Sequence, residues 1–154
     1  MCGISGWIGP PDGEAAARMH AALRHRGPDE QGTWSDPRAT LLHERLSIID
    51  LSGGHQPMTN EDGRFRIIFN GEIYNYRELR DGLLARGHRL TTHSDTEVIL
   101  HLYEELGERC PEKLIGMFAF AIWDSRDGSM LLARDRLGIK PLFHAEAGGR
   151  FLFS

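Results

Sequence analysis

Cysteine is scarce: Cys2 and Cys110 are the only two in 154 residues. They form neither a C-x-x-C pair nor the dense framework of a small secreted domain, which argues against a disulfide scaffold and makes a reducing cytoplasm the default. No apolar run approaches the ~18 residues of a membrane span, and no basic segment followed by an apolar one trails Met1, so neither a bilayer anchor nor a signal peptide is expected. Positive charge is not in excess. The net charge of −4 and pI near 6.0 argue against nucleic acid or an anionic membrane as partner. Repeats and low-complexity tracts are missing, as is the G-x-x-x-x-G-K-[ST] phosphate loop. Cysteine and histidine spacings of the C-x₂-C or H-x₃₋₅-H kind do not occur in the right company. His20 and His25 come nearest and read as solvated helix residues, so no metal is expected.

What remains is an ordinary globular composition, 40% hydrophobic and 26% charged, with length enough for one domain and a core. A short strand is expected over Gly3–Gly9 and a helix over Glu14–His25, where Ala15, Met19, Ala22 and Leu23 recur at helical spacing. Arg26-Gly27-Pro28-Asp29 breaks it. Strands are expected at Ala39–Leu46 and Arg64–Asn70, with Asp62-Gly63 turning into the second. Two helices follow, Tyr76–Arg86 and Asp95–Leu106. Ser94-Asp95-Thr96-Glu97 has the form of a capping box, and Gly107 closes the second helix. The remainder reads as a β-meander: Met117–Asp124, Ser129–Arg134, Leu142–Ala145 and Arg150–Phe153. The order of strands, helices and strands gives an α+β fold, with sheets packed face to face and covered by helices.

The chemistry begins at Cys2. If Met1 is removed, the thiol (unperturbed pKa ~8.5) and the α-amine (~7.7–8.0) share one residue, and the amine can take the thiol proton near neutral pH. Gly3 and Gly6 beside it permit close approach of backbone or substrate. The plain alternative is a small buried hydrophobe. Arg45, in Arg45-Leu46-Ser47-Ile48-Ile49, could clamp a carboxylate bidentately, although the segment alone fits a surface arginine at a strand end better. Asn70-Gly71 offers an amide and an accessible N–H for an oxyanion, or equally a two-residue hairpin turn. Glu72 is explained by a substrate ammonium. Asp95 suits a first helical turn with or without a ligand, and Asn75 suits a helix cap. The charged loop Asp135–Leu142 is read as structural or interdomain. Together these residues could recognise a free α-amino acid and attack its side-chain amide.

At these residues the chain resembles the class II glutamine amidotransferases, and among them the glutamine-hydrolysing asparagine synthetases. The blocks that carry the likeness are Met1-Cys2-Gly3-Ile4, His25–Asp29, His43–Asp50, Phe69–Asn75, Ser94–Val98, Gly116–Phe120 and Asp135–Leu142, in shared order and spacing. The resemblance implies an Ntn-hydrolase-like four-layer αββα sandwich of two antiparallel sheets flanked by helices. It implies hydrolysis of L-glutamine to glutamate and ammonia, with Cys2 as nucleophile through a thioester and its α-amine as base. Asn70 and Gly71 would hold the oxyanion. Arg45 would bind the glutamine carboxylate with Leu46, Ser47, Ile48 and Ile49 lining the pocket, Glu72 and Asp95 would take the ammonium, and Arg26 and Asn75 would support the nucleophile from behind.

No cofactor is implied for this segment. ATP and Mg²⁺ are expected of a C-terminal synthetase domain that makes asparagine from aspartate, and that domain lies outside these residues. The apolar ending Phe151-Leu152-Phe153-Ser154 reads as a chain cut inside a larger protein, with the glutaminase domain incomplete. The implied partners are L-glutamine, the synthetase domain and, more loosely, a second copy in a homodimer. Two alternatives stand beside this reading: a related amidotransferase that passes ammonia to a different carboxylate acceptor, and a non-catalytic glutamine-binding domain.

Overall fold

The computed structural model describes residues 1–46 and 54–154. The expected Ser47, Ile48 and Ile49 fall outside the described residues. Nine strands and three α-helices are described, and the strands form two antiparallel sheets.

The first sheet is built around β1 (Gly3–Ile8), with β2 (Glu30–Ser35), β3 (Ala39–Arg45), β8 (His144–Ala147) and β9 (Arg150–Phe153) in the order β2-β3-β1-β9-β8. The second contains β4 (Met58–Thr59), β5 (Phe65–Ile73), β6 (Gly116–Asp124) and β7 (Ser129–Arg134) in that order. Helix α1 (Gly13–Leu23) covers the first sheet, and α2 (Tyr76–Ala85) with α3 (Asp95–Leu106) covers the second. The layers are therefore α, β, β, α, as the resemblance implies. No helix among the described residues is long and apolar enough to cross a membrane.

Period-two alternation assigns the faces. On β5 and β6, Ile67, Phe69, Phe118, Phe120 and Ile122 pack with Val98, Ile99 and Leu102 beneath the helices. Their alternates Ile68, Ala119, Ala121 and Trp123 meet Ile4, Leu41 and Phe153 between the sheets. By the same alternation Asn70 points between the sheets and Gly71 toward the helices. Gly71 has to be glycine: a Cβ there would stand 2.2 Å from the Met117 carbonyl oxygen and 2.7 Å from Phe118 Cα.

The last four strands depart from the expected meander. β6 and β7 close one sheet, whereas β8 and β9 cross to the other, where β9 pairs with β1 through Gly6↔Phe153 and Ile8↔Phe151. The crossing is made by the Asp135 loop, and it moves the third strand from the expected Leu142–Ala145 to His144–Ala147. β2 and the two-residue β4 escaped sequence reading. The first is a polar edge strand, and the second is too short to show a period.

The capping box is only half made. Ser94 Oγ accepts from Thr96 N at 3.2 Å, but the Ser94 N–H donates to Thr92 Oγ1 at 3.1 Å. Glu97 instead accepts from the backbone N–H groups of Thr91 and Thr92, each at 2.7 Å, and from both threonine hydroxyls. The Asp62-Gly63 turn forms as expected, with Gly63 at φ +74°. Asn70-Gly71 is not a turn; it lies in mid-strand, paired with Ala119 and Phe118.

Candidate active site

The C-terminal ends of β3 and β5, the start of α3 and the chain's first residues meet at one pocket. Cys2, Arg45, Leu46, Asn70, Gly71, Glu72 and Asp95 all line it, joined by Met1, Gln56, Thr96 and Lys140. Seven residues singled out in the sequence thus come together from four separate segments.

Cys2 sits half-buried at the end of β3. Its thiol lies 3.8 Å from the Leu46 carbonyl oxygen, and the Leu46 N–H donates to Sγ at 3.4 Å. From behind, Arg26 Nε donates to the Cys2 carbonyl oxygen at 3.1 Å, which fixes the backbone of that residue. Cys2 and Asn70 also wall a second hollow with Ile4, Arg26, Pro141 and Phe143. The other cysteine differs in kind. Cys110 is fully buried, and burial pushes its thiol up to about 12, so it stays a protonated core residue.

The strand edge beside Cys2 explains why Gly71 carries the exposed amide. Antiparallel pairing sends successive N–H groups to opposite sides of a strand. Phe69 N donates to Gln56 Oε1 at 2.6 Å, and Ile73 N donates to Asp95 Oδ2 at 3.1 Å, both on the side away from β6. Gly71 N lies between them on that same edge, and among the described residues it has no acceptor. Two capped amides therefore flank one open donor, in the pocket that holds the thiol. His43 ties the two sheets here, with its Nε2 3.3 Å from the Phe69 carbonyl oxygen. Burial holds its pKa down at about 4, so the ring is neutral and donates this bond.

The charged groups are arranged at opposite walls. Arg45 is buried, and its Nη1 donates to Glu30 Oε2 at 2.9 Å; Glu30 in turn meets His55 Nδ1 at 2.6 Å. Across the pocket, burial pushes the Asp95 carboxyl up to about 6, with the Glu72 carboxylate adding to the effect and the Ile73 and Thr96 amides opposing it. A carboxylate held so far from its ordinary range is poised for a cation.

Two placements differ from expectation. Asn75 is at the α2 N-cap position but makes no cap bond; its amide donates to the Lys113 carbonyl and accepts from Ile115 N, both at 3.0 Å. It therefore braces the entry to β6 and makes no bond to Cys2. The loop after β7, read as structural, supplies a pocket wall. Asp135 accepts from the backbone N–H groups of Phe118, Leu137, Ile139 and Lys140, and this wraps the loop so that Lys140 is 4% exposed, with Nζ 2.7 Å from Met1 Sδ. An aspartate followed by glycine and lysine within six residues was the available signal. Glu30, His55 and Gln56 were also missed, because their roles depend on pairing across strands.

A family model described as "Glutamine amidotransferase domain" matches residues 1–154. The chain is 44% identical to asparagine synthetase [glutamine-hydrolyzing] 3 of Bacillus subtilis (strain 168), with 99% of this chain and 26% of the relative aligned. It is 47% identical to asparagine synthetase [glutamine-hydrolyzing] 3 of Arabidopsis thaliana over 93% of this chain and 25% of that protein. The chain thus spans about a quarter of the length of these curated relatives. Among solved structures it is similar to the glutamine phosphoribosylpyrophosphate amidotransferase of B. subtilis complexed with ADP and GMP. The TM-score is 0.76 at 19% identity, over 99% of this chain and 41% of that one, a likeness of fold.

Proposed function

Since the chain belongs to the glutamine amidotransferase domain family, we propose that its pocket hydrolyses L-glutamine to glutamate and ammonia, with Cys2 as nucleophile. The observation that carries this reading is the single open amide of Gly71, set between two capped ones, in the same pocket as the Cys2 thiol.

The chemistry follows from the placement. Glutamine enters with its α-carboxylate toward Arg45 and its α-ammonium toward Asp95 and Glu72, so its side-chain amide reaches Cys2. Once Met1 is removed, the Cys2 α-amine takes the thiol proton and Sγ attacks the amide carbon. The C=O electrons move onto oxygen, where the Gly71 N–H and the Asn70 amide stabilise the anion. Collapse breaks the C–N bond, and ammonia leaves with the proton returned by the α-ammonium. Water then attacks the thioester by the same route, releases glutamate and restores the thiol. Retained Met1 ties that amine into a peptide bond and leaves no base.

In the larger setting, the names of the relatives support delivery of the ammonia to asparagine synthesis from aspartate, by a synthetase domain using ATP and Mg²⁺. Delivery to another carboxylate acceptor is the second reading. No step on this chain needs either cofactor. The test is glutamate release from glutamine by protein whose mass shows Met1 removed, beside a Cys2→Ala variant. Turnover by the first and none by the second is expected; equal turnover by both would overturn the assignment.

A further inference from the structure

Away from the pocket, three side chains converge where the end of α2 meets α3. His101 and Glu104 stand three apart on α3 and so share a face. His88 reaches them from the connection after α2, and its backbone is fixed by the helix end. The N–H of Gly87 bonds to the Leu84 carbonyl at 3.0 Å and that of His88 to the Leu83 carbonyl at 3.1 Å, with Gly87 at φ +96°. That is a Schellman ending, which leaves His88 little freedom of position.

His88 Nδ1 lies 3.0 Å from His101 Nδ1, and Glu104 Oε2 lies 2.9 Å from His101 Nδ1 and 3.5 Å from His88 Nδ1. These are the edges of a small triangle. An ion just off its plane would stand about 2.0–2.1 Å from all three atoms, the bond length of zinc to imidazole nitrogen and carboxylate oxygen.

The far atoms are arranged to favour this. His88 Nε2 donates to Glu105 Oε1 at 3.0 Å, which leaves a lone pair on Nδ1, and Arg86 Nε holds the same carboxylate oxygen at 2.7 Å. Asn60 Nδ2 donates to Glu104 Oε1 at 2.6 Å, turning Oε2 inward. His101 Nε2 has the carboxylates of Glu61 and Glu97 at 4.0 Å, and the residue is 2% exposed. The His88 Nε2–Glu105 bond is the usual support of a metal-bound imidazole, while at His101 the two carboxylates lie beyond hydrogen-bond reach and add only favourable charge. Two ring nitrogens and a carboxylate oxygen so close repel one another unless a proton or a cation lies among them.

We propose that His88 Nδ1, His101 Nδ1 and Glu104 Oε2 bind one divalent transition-metal ion of the zinc class, with water in the fourth position. The N₂O donor set suits zinc over calcium or magnesium, which take oxygen ligands. Its role is structural. It pins the α2–α3 connection to the helix whose first turn carries Asp95 and Thr96 into the pocket, and whose Glu97 holds Thr91 and Thr92 of that connection. The proposal does not rest on the glutaminase reading. It also departs from the sequence expectation of no metal, because His88 and His101 are thirteen residues apart and match no ligand spacing.

The experiment is metal content and thermal stability of the chelator-stripped chain, with and without one equivalent of zinc, for wild type, His88→Gln and Glu104→Gln. Positions 88 and 104, whose side chains keep 18% and 21% of their surface exposed against 2% for His101, are chosen because these variants should fold. Expected are one zinc per chain, a raised Tm on adding zinc, and a loss of affinity on the order of 100-fold in either variant. A cobalt(II)-loaded sample should show tetrahedral d–d bands without thiolate charge transfer, which separates this site from Cys2. No bound zinc in wild type, zinc binding unchanged in both variants, or a thiolate spectrum would each overturn the proposal.

Discussion

The two halves of β5 share one strand, one neighbour in β6 and opposite duties. In the first half, Phe65, Ile67 and Ile68 fill the two cores, and β4 closes the outer edge through Met58↔Ile67 and Thr59↔Arg66. In the second half no strand among the described residues covers that edge. Side chains take over, with Gln56 on Phe69 N and Asp95 on Ile73 N, and the amide of Gly71 stays open to the pocket. Where the edge is closed by backbone the strand supplies stability; where it is closed residue by residue, one donor can be left for chemistry. Buried polar side chains gather at the pocket end too, with Arg45, Asn70 and Asp95 all lining the pocket.

The comparison can be broken from the pocket side most drastically. Replacing Cys2 by alanine should lower glutamine turnover by on the order of 10⁴-fold or more with little change in Tm, read by glutamate release and thermal melting. Asn70→Ala removes one oxyanion donor and should cost about 10²–10³ in kcat with a native circular dichroism spectrum. A fall confined to KM would contradict that role.

On the core side, Ile67→Ala should destabilise by about 2–5 kcal/mol in urea unfolding while the folded fraction keeps its kcat. Equal effects of Ile67→Ala and Asn70→Ala on both axes would erase the distinction between the halves.

Asp95 lies on the boundary, and its pH dependence can be signed. Its folded pKa of about 6 is above the ordinary 3.8, so the native state binds the extra proton between about pH 4 and 6. Stability from this group is therefore full below pH 4 and lost as pH rises through 6, by up to about 3 kcal/mol. Asp95→Asn should thus be the more stable protein at pH 8 and flatten that stretch of the profile. It should also raise the KM for glutamine, and the wild-type KM should itself rise as pH falls below 6. A variant less stable at pH 8 would refute the burial argument. The smallest effect is expected of Gln56→Ala, which uncaps Phe69 N and should cost about 1–3 kcal/mol of stability with kcat retained.

Local signals in the sequence carried far. Helical spacing placed α1, α2 and α3 to within a few residues, and apolar runs placed β1, β3, β5 and β6. What failed was whatever depends on partners remote in the chain. The split of the last four strands between two sheets turns on Phe153 finding Gly6. Asn75 looks like a cap but is claimed by Lys113 and Ile115, and Glu97 looks like the closing half of a capping box but is claimed by two threonines. At the site, Cys2 stood out by its place beside Met1, whereas Arg45, Asn70, Gly71, Glu72 and Asp95 each had a plain structural reading and were picked out as a set by the order and spacing of their motifs. Glu30, Gln56 and Lys140 were not, since each is placed by a strand pairing or a loop wrapped around one aspartate.

The central claim is that Cys2 and the glutamine-binding groups form one working pocket. Its most direct test is intact mass of the purified chain before and after an electrophilic glutamine analogue, with peptide mapping of the product. The account predicts loss of the Met1 mass and a single adduct on Cys2 that excess glutamine prevents. An adduct on Cys2 that glutamine does not prevent, or none on processed protein, would contradict it.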